Sequence, residues 1–250
     1  MYLGEDQYGF RRGVGTRDAI GVMRVLTERC IEHNQTVYVG FVDYEKAFDR
    51  INWKKMIEIL KNIGVDWRDR RLIKELYMNQ TARVRIDNIL SEECEIGRGN
   101  RQGCPLSALL YILYDEAMIK RTIDGEDSGI KVGGECLHSV RFADDKAMLS
   151  STAKGLQALM SKLNDVTEEY GMKINTKKTK VMAIAKKGNK KIKIIINGDE
   201  IEQVKQFRYL GSVITEDGRC EQEIRTKIAM AKAAFNEGKI LLGGNYYKCR

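Results

Sequence analysis

Two apolar runs in this chain end or break on aspartate, and that feature narrows the possible folds more than any other. The run 36–43, TVYVGFVD, is rich in β-branched and aromatic residues, as a buried strand requires, and stops on Asp43. The run 141–149, RFADDKAML, sets Asp144 and Asp145 side by side where the pattern asks for another buried strand. An unpartnered ionised carboxylate is costly to bury, and two adjacent ones repel each other. Either the pair occupies an exposed turn, or a cation belongs beside it. Neighbouring side chains face opposite ways within a strand, but at a hairpin tip that restriction relaxes. A hairpin turning at Asp144–Asp145 would aim Asp144 into a space shared with Asp43, provided the two strands are neighbours. Such carboxylates suit two hard divalent cations about 3.5–4 Å apart, as in-line phosphoryl transfer requires. One ion would activate an attacking 3′-hydroxyl and the other would steady a leaving pyrophosphate.

The surrounding pattern supplies helices and hairpins. Thr16 is the expected cap of a helix to about His33, with Ile20, Met23, Leu26 and Ile31 near helical spacing. Trp53, Met56, Ile57 and Leu60 mark a second helix that Gly64 ends. The segment 82–86, ARVRI, and the residues around Glu95 read as two strands of a ribbon. Pro105, the only proline, opens a helix to about Arg121. Gly133-Gly134 and Asn197-Gly198 are hairpin tips. Leu156, Leu159, Met160, Leu163 and Tyr170 define a further amphipathic helix, and Ile224, Ile228, Ala231 and Phe235 stripe the last one. Helices and hairpins without repeats or long linkers predict an α+β fold with a mostly antiparallel sheet.

Composition adds partners and compartment. With 250 residues, 43% of them hydrophobic, the chain can form one large domain or two small ones. Its net charge of +8 favours a polyanionic partner, and the stretch from Lys173 to Lys193 holds nine lysines and no acid. By itself that stretch reads as a solvated face; beside a nucleotide site it reads as a backbone contact. Six cysteines without a C-x-x-C pair predict reduced thiols, and no apolar leader or membrane-length run is present. The expectation is a soluble intracellular protein of nucleus or cytoplasm.

The motifs FVDYEKAFDRINW, NRQGCPLSALLYILY, RFADDKAML, GMKINTKKTKVM and FRYLGSVI follow one another in an order that resembles a single family. It is the reverse transcriptase domain of non-LTR (LINE-type) retrotransposons, and the likeness covers nearly the whole chain. The resemblance implies a right-hand polymerase palm with an antiparallel sheet and packed helices. Residues 1–36 would be partial fingers, 37–212 the palm with a finger-proximal ribbon near 80–100, and 213–250 the start of a thumb or a connector helix. It implies RNA-directed DNA polymerisation on an RNA template and a DNA primer, using dNTPs and two Mg²⁺ ions, or Mn²⁺ in their place. No membrane is implied, and the rest of a retrotransposon polyprotein is an expected partner. Because the family extends a nicked chromosomal 3′-end, the nucleus is the expected place of action.

Position by position, Asp43 and Asp144 match the family's metal-binding aspartates, and Asp145 is their catalytic companion with less direct ligation. The backbone carbonyl of Tyr44 would be a further ligand. Phe48 matches the aromatic wall beneath the incoming sugar, which excludes a 2′-hydroxyl; a core phenylalanine is the rival reading. Gln102, Gly103 and Pro105 match the template-and-nucleotide loop. In DQYGFRRG, Arg11, with Arg12 as the alternative, would reach the triphosphate. Lys178 matches a lysine that assists pyrophosphate departure, with a surface lysine as the plain alternative. Phe207, Arg208, Tyr209, Leu210 and Gly211 match the hairpin that grips the primer end. Set against the pattern, the expectation is a cut-down enzyme, without the upstream fingers segment, endonuclease domain or C-terminal cysteine-histidine knuckle of the family, and Ala108 stands where a second proline is usual. Those departures keep open a nucleic-acid-binding remnant that does not polymerise. An enzyme acting on free nucleotides would have no need of NRQGCPLS or FRYLG.

Overall fold

The computed structural model describes residues 2–101, 103–188 and 190–242. In chain order the first half holds α1 (Thr16–Glu32), β1 (Val37–Val42), α2 (Trp53–Asn62) and α3 (Trp67–Tyr77). The short strands β2 (Gln80–Ala82), β3 (Arg85–Ile86), β4 (Ile89–Leu90) and β5 (Cys94–Ile96) lead into α4 (Pro105–Ile123). Next come β6 (Ile130–Val132), β7 (Glu135–Leu137), β8 (Ser139–Phe142), β9 (Asp145–Ser150) and α5 (Ala153–Glu169). The chain continues with β10 (Lys180–Ile184), β11 (Ile195–Ile196), β12 (Asp199–Glu200), β13 (Gln206–Tyr209), β14 (Ser212–Thr215) and α6 (Glu221–Leu242).

The centre is a four-stranded antiparallel sheet in the order β10-β1-β9-β8. Both of its faces are covered, which is why its strands read as unbroken apolar runs. Val37, Val39 and Phe41 of β1 join Ala19, Met23 and Leu26 of α1 in one core. Val42 and Met148 face the other way, into a core with Leu156, Leu159 and Met160 of α5 and Tyr111 and Tyr114 of α4. Gly40 lies beneath α5, where a Cβ would come within 2.8 Å of Met160 Sδ. Only a residue without a side chain lets that helix sit so close. No helix among the described residues is long and apolar enough to cross a membrane.

Several local expectations shift. Gly15, not Thr16, caps α1, and its N–H donates to the Asp18 carboxylate at 2.7 Å. The run 82–86 splits: β2 pairs with β5, while β3 and β4 form a separate hairpin through Asp87–Asn88. The β8–β9 hairpin turns one residue early, because Phe142 pairs with Asp145 and leaves Ala143 and Asp144 at the tip. The apolar stripe of α6 meets solvent, with Ile228 50% and Phe235 70% exposed. Cys30, Cys94, Cys104, Cys136 and Cys220 are free thiols; Cys249, with residues 243–250, lies outside the described residues.

Candidate active site

The register of the central sheet brings the aspartates together. Val42 pairs with Lys146, so Asp43, one step beyond β1, stands beside the β8–β9 turn that carries Asp144. The Asp43 backbone is pinned from the other side. Its N–H donates to Thr179 Oγ1 at 3.2 Å and its carbonyl accepts from the Asn175 N–H at 2.8 Å. Tyr44 bridges Ile174 in an antiparallel pair, and the Glu45 N–H donates to Lys173 O at 2.9 Å, so the chain on both sides of Tyr44 is tied to residues 173–175. The Asp43 carboxylate keeps one buried oxygen, Oδ2, without a hydrogen-bond partner among the described residues. Burial raises its pKa and the charge on Asp144 adds to the rise, while Lys178 and the Asn175 side chain pull it back. Burial and Asp144 likewise raise the pKa of Asp145, against Lys146. Asp43 and Asp145 each lie near enough to Asp144 for its charge to raise their pKa, with Lys178 opposing that effect at Asp43.

A divalent cation fits such a site. Magnesium takes hard oxygen ligands, commonly one or two carboxylates with the rest of its shell left to water or phosphate. Asp43 and Asp144 would be the two carboxylates, and Asp43 Oδ2 is an oxygen with no donor among the described residues. Among the described residues no group of three or more His, Cys, Asp or Glu side chains forms a complete metal cage. Asp145 accordingly stands as a neighbour of the pair, at the first position of β9.

The residues expected to bind nucleotide differ in how they are held, and Lys178 is the one whose charge is felt at Asp43. Phe48 lies on a 3-10 turn, Ala47–Arg50, half-buried, with its ring stacked on Tyr111 at 4.5 Å between centroids. Its carbonyl accepts from the Asn100 N–H at 2.8 Å, and Ile51 O accepts from the Gly99 N–H at 2.9 Å. The loop leading to Gly103 is thus strapped to the Phe48 turn. Gly103 is exposed at φ +79°; Gln102 lies outside the described residues. Arg11 is half-buried, and its Nη1 donates to the Gly4 carbonyl at 3.0 Å. It follows Phe10, whose ring lies 6.3 Å from that of Phe142, two positions before Asp144. Lys178 is exposed and lines an open cleft of about 960 Å³ in which Lys46, Arg50, Arg98, Lys173 and Lys177 outnumber Glu45, Asp49 and Asp199.

The β13–β14 hairpin divides its residues by face. Phe207 stacks on Phe41 at 4.1 Å, and the buried Tyr209 hydroxyl donates to Val140 O at 2.8 Å. These two rings anchor the hairpin on the sheet, while Arg208 and Gly211 are exposed and Leu210 is half-buried at the tip. The lysine-rich stretch is also uneven, since Lys173, Lys180 and Lys193 form ion pairs with Glu45, Glu202 and Glu200.

One feature escapes sequence reading. Behind the turn, buried Arg141 pairs with Asp6 at 2.5 Å, Glu116 at 3.0 Å and Asp115 at 3.4 Å. Lys146 pairs with Asp115 at 2.7 Å and lies 4.3 Å over the Tyr44 ring. Burial alone would lower the pKa of both cations, but their carboxylate partners outweigh it and both are raised. The signal was Asp115–Glu116 inside the apolar run of α4, the same anomaly that singles out Asp144–Asp145.

Residues 1–214 match the family described as reverse transcriptase (RNA-dependent DNA polymerase). The chain is 29% identical over 198 residues to the Pol polyprotein of the R2 retrotransposable element of Nasonia vitripennis, a match covering 75% of the chain and 19% of that protein. It is 28% identical over 222 residues to the R2DM polyprotein of Drosophila melanogaster, covering 85% and 21% respectively. Against the RNA-directed DNA polymerase from the mobile element jockey of Drosophila melanogaster it is 25% identical, covering 97% of the chain and 28% of that protein. The chain thus spans 19% to 28% of the length of these curated relatives. Apo telomerase from Candida tropicalis, truncated from the C-terminal domain, shares the fold with TM-score 0.59 and 13% identity over 84% of this chain and 39% of that one. The α+β palm, its helices and antiparallel sheet are those of the polymerase right hand, and the chain belongs to the reverse transcriptase family as a domain of the LINE-type retrotransposable-element kind.

Proposed function

We propose that the chain is the polymerising module of a retrotransposon polyprotein, extending a DNA primer 3′-end with dNTPs on an RNA template. The observation that carries this reading is the approach of Asp43, at the end of β1, to Asp144, in the turn before its partner strand β9, with Asp43 Oδ2 lacking a donor among the described residues. Asp43, Asp144 and the Tyr44 carbonyl would hold two Mg²⁺ ions, or Mn²⁺. Bound there, the ions supply the charge that makes the 3′-hydroxyl a better nucleophile and offsets charge on the departing pyrophosphate. Asp145 would add negative charge beside the ions without ligating them directly. Phe48, held flat by Tyr111, would lie under the deoxyribose and exclude a 2′-hydroxyl. Gln102 and Gly103 would approach the template base and nucleotide. Arg11 and Lys178 would meet the triphosphate, Lys178 from the basic cleft. The exposed tip Arg208–Gly211 would contact the primer, with Phe207 and Tyr209 as its anchors. Residues 1–36, 37–212 and 213–250 would serve as partial fingers, palm and start of thumb, acting in the nucleus of the host cell.

The test is primer extension by the 250-residue chain on poly-rA with an oligo-dT primer, dTTP and Mg²⁺. Wild type should extend the primer, and Asp144→Asn should reduce extension by orders of magnitude while the fold survives, because the substitution relieves carboxylate repulsion. A folded wild type that binds primer–template yet never extends it would point to the non-polymerising remnant. Near-normal extension by Asp144→Asn would remove the metal assignment.

A further inference from the structure

The β8 edge of the central sheet is not left bare. Residues 6–8 run alongside it as an extra parallel partner, with Gln7 bridging to Arg141. The Tyr8 N–H donates to Arg141 O at 2.8 Å, and the Arg141 N–H donates to Asp6 O at 2.9 Å. Asp6 also accepts from the Arg141 guanidinium through Nε at 2.9 Å and from the Ser139 hydroxyl. This segment reaches past the end of β8 to the turn itself. Gln7 is 0% exposed, and its Oε1 accepts from two backbone donors, the Gly9 N–H at 2.8 Å and the Ala143 N–H at 3.1 Å.

Ala143 is the residue immediately before Asp144, and its φ of +55° is one that a side-chain-bearing residue rarely adopts. A left-handed residue at the tip of a hairpin needs its surroundings to hold it there, and the buried Gln7 amide does so. Gly9 permits the approach, because a Cβ at that position would lie 2.5 Å from the Ala143 nitrogen. Three letters of the DQYG segment thus have a geometric reason: Asp6 for Arg141, Gln7 for the turn, and Gly9 for closeness.

We infer that Asp6–Gly9 is a positioning element of the candidate active site, in which the Gln7 side chain fixes the Ala143 backbone and so sets the direction in which Asp144 is presented. This role rests on the reading of Asp144 as a metal ligand and is separate from the expectation for Arg11. Gln7 touches no reacting group; it acts through the turn. An edge strand that served only to cover β8 would need the backbone bonds of Asp6 and Tyr8 but not an acceptor aimed at Ala143.

The test measures Mn²⁺ binding to the 250-residue chain by calorimetry, without nucleic acid, for wild type, Asp144→Asn, Gln7→Met and Gly9→Ala. Gln7→Met keeps the side-chain volume and removes the acceptor; Gly9→Ala keeps the acceptor and pushes the segment off the turn. Both variants should weaken Mn²⁺ binding roughly tenfold, the usual effect of losing a group that orients a ligand. Each should lower kcat for primer extension with little change in the KM for dTTP. The amide of Ala143 should exchange slowly in wild type and markedly faster in Gln7→Met. Wild-type Mn²⁺ affinity in the two folded variants, with binding lost in Asp144→Asn, would overturn the positioning role and leave the metal assignment standing. Binding unaffected by Asp144→Asn would overturn both. Should neither Gln7→Met nor Gly9→Ala fold, exchange in the wild type decides: an unprotected Ala143 amide refutes the role, and a protected one supports it.

Discussion

Replacing Phe48 with valine separates a nucleotide-pocket wall from a packing residue, because the two roles move different measurements. The ring is half-buried, packs against the α4–α5 core and stacks on Tyr111 with an interplanar angle of 26°. Losing a stacked aromatic pair forfeits about 0.5–1.5 kcal/mol. The lost apolar area of a half-buried ring adds roughly 1 kcal/mol. A total of about 1–3 kcal/mol lies below the ~3–5 kcal/mol of truncating a fully buried ring. In a domain of this size each kcal/mol lowers Tm by about 2–4 °C, so a drop of a few to about 10 °C is expected in either role. The roles part on substrate choice. With the ring beneath the sugar, Phe48→Val opens space for a 2′-hydroxyl, and the ratio of ribonucleotide to deoxynucleotide incorporation should rise about tenfold or more, the scale of one steric group. The assay is single-nucleotide extension with dTTP and UTP, kcat/KM for each, beside a thermal melt. A lowered Tm with an unchanged ratio would refute the pocket role and leave Phe48 as core.

The lysines should separate by their partners. Lys177→Gln with Lys178→Gln, both on the cleft, should reduce the slope of log K for primer–template against log salt by about 2, whereas Lys180→Gln, whose ammonium is paired with Glu202, should change it little. An unaltered slope in the double variant would return the cleft lysines to a solvated face. For pH, burial pushes the Asp6 carboxyl up, but the Arg141 guanidinium and Ser139 hydroxyl outweigh it and its pKa is lowered. A lowered folded-state value stabilises the fold above the ordinary aspartate pKa, and that contribution is lost as pH falls through the folded value. The protection of the residue 6–9 amides, taken relative to the intrinsic exchange rate at each pH, should therefore fall at acid pH, below the ordinary aspartate range; Asp6→Asn should remove that fall in protection, and its persistence in the variant would refute the assignment.

Local chemistry made much of the architecture legible from the chain. Asn197–Gly198 and Gly133–Gly134 form the hairpin tips expected of them, and Pro105 opens α4 as its missing donor allows. The apolar run before Asp43 is β1 to within a residue at its end. The family's motif order carried the positions of Asp43 and Asp144. Tertiary structure decided what these local rules leave free. Which strands pair is a matter of long-range register, and it is the pairing of Val42 with Lys146 that makes neighbours of two aspartates far apart in the chain. The β8–β9 turn, one residue earlier than the local pattern suggests, places Ala143 at a positive φ, with its N–H donating to the buried Gln7 amide oxygen from a distant part of the chain. Lys146 and Arg141, which a local reading would give to solvent, are buried because Asp115, Glu116 and Asp6 arrive from other elements to meet them. The stripe on α6 carries the right period for burial yet stays exposed, since period fixes a face and only packing supplies what covers it.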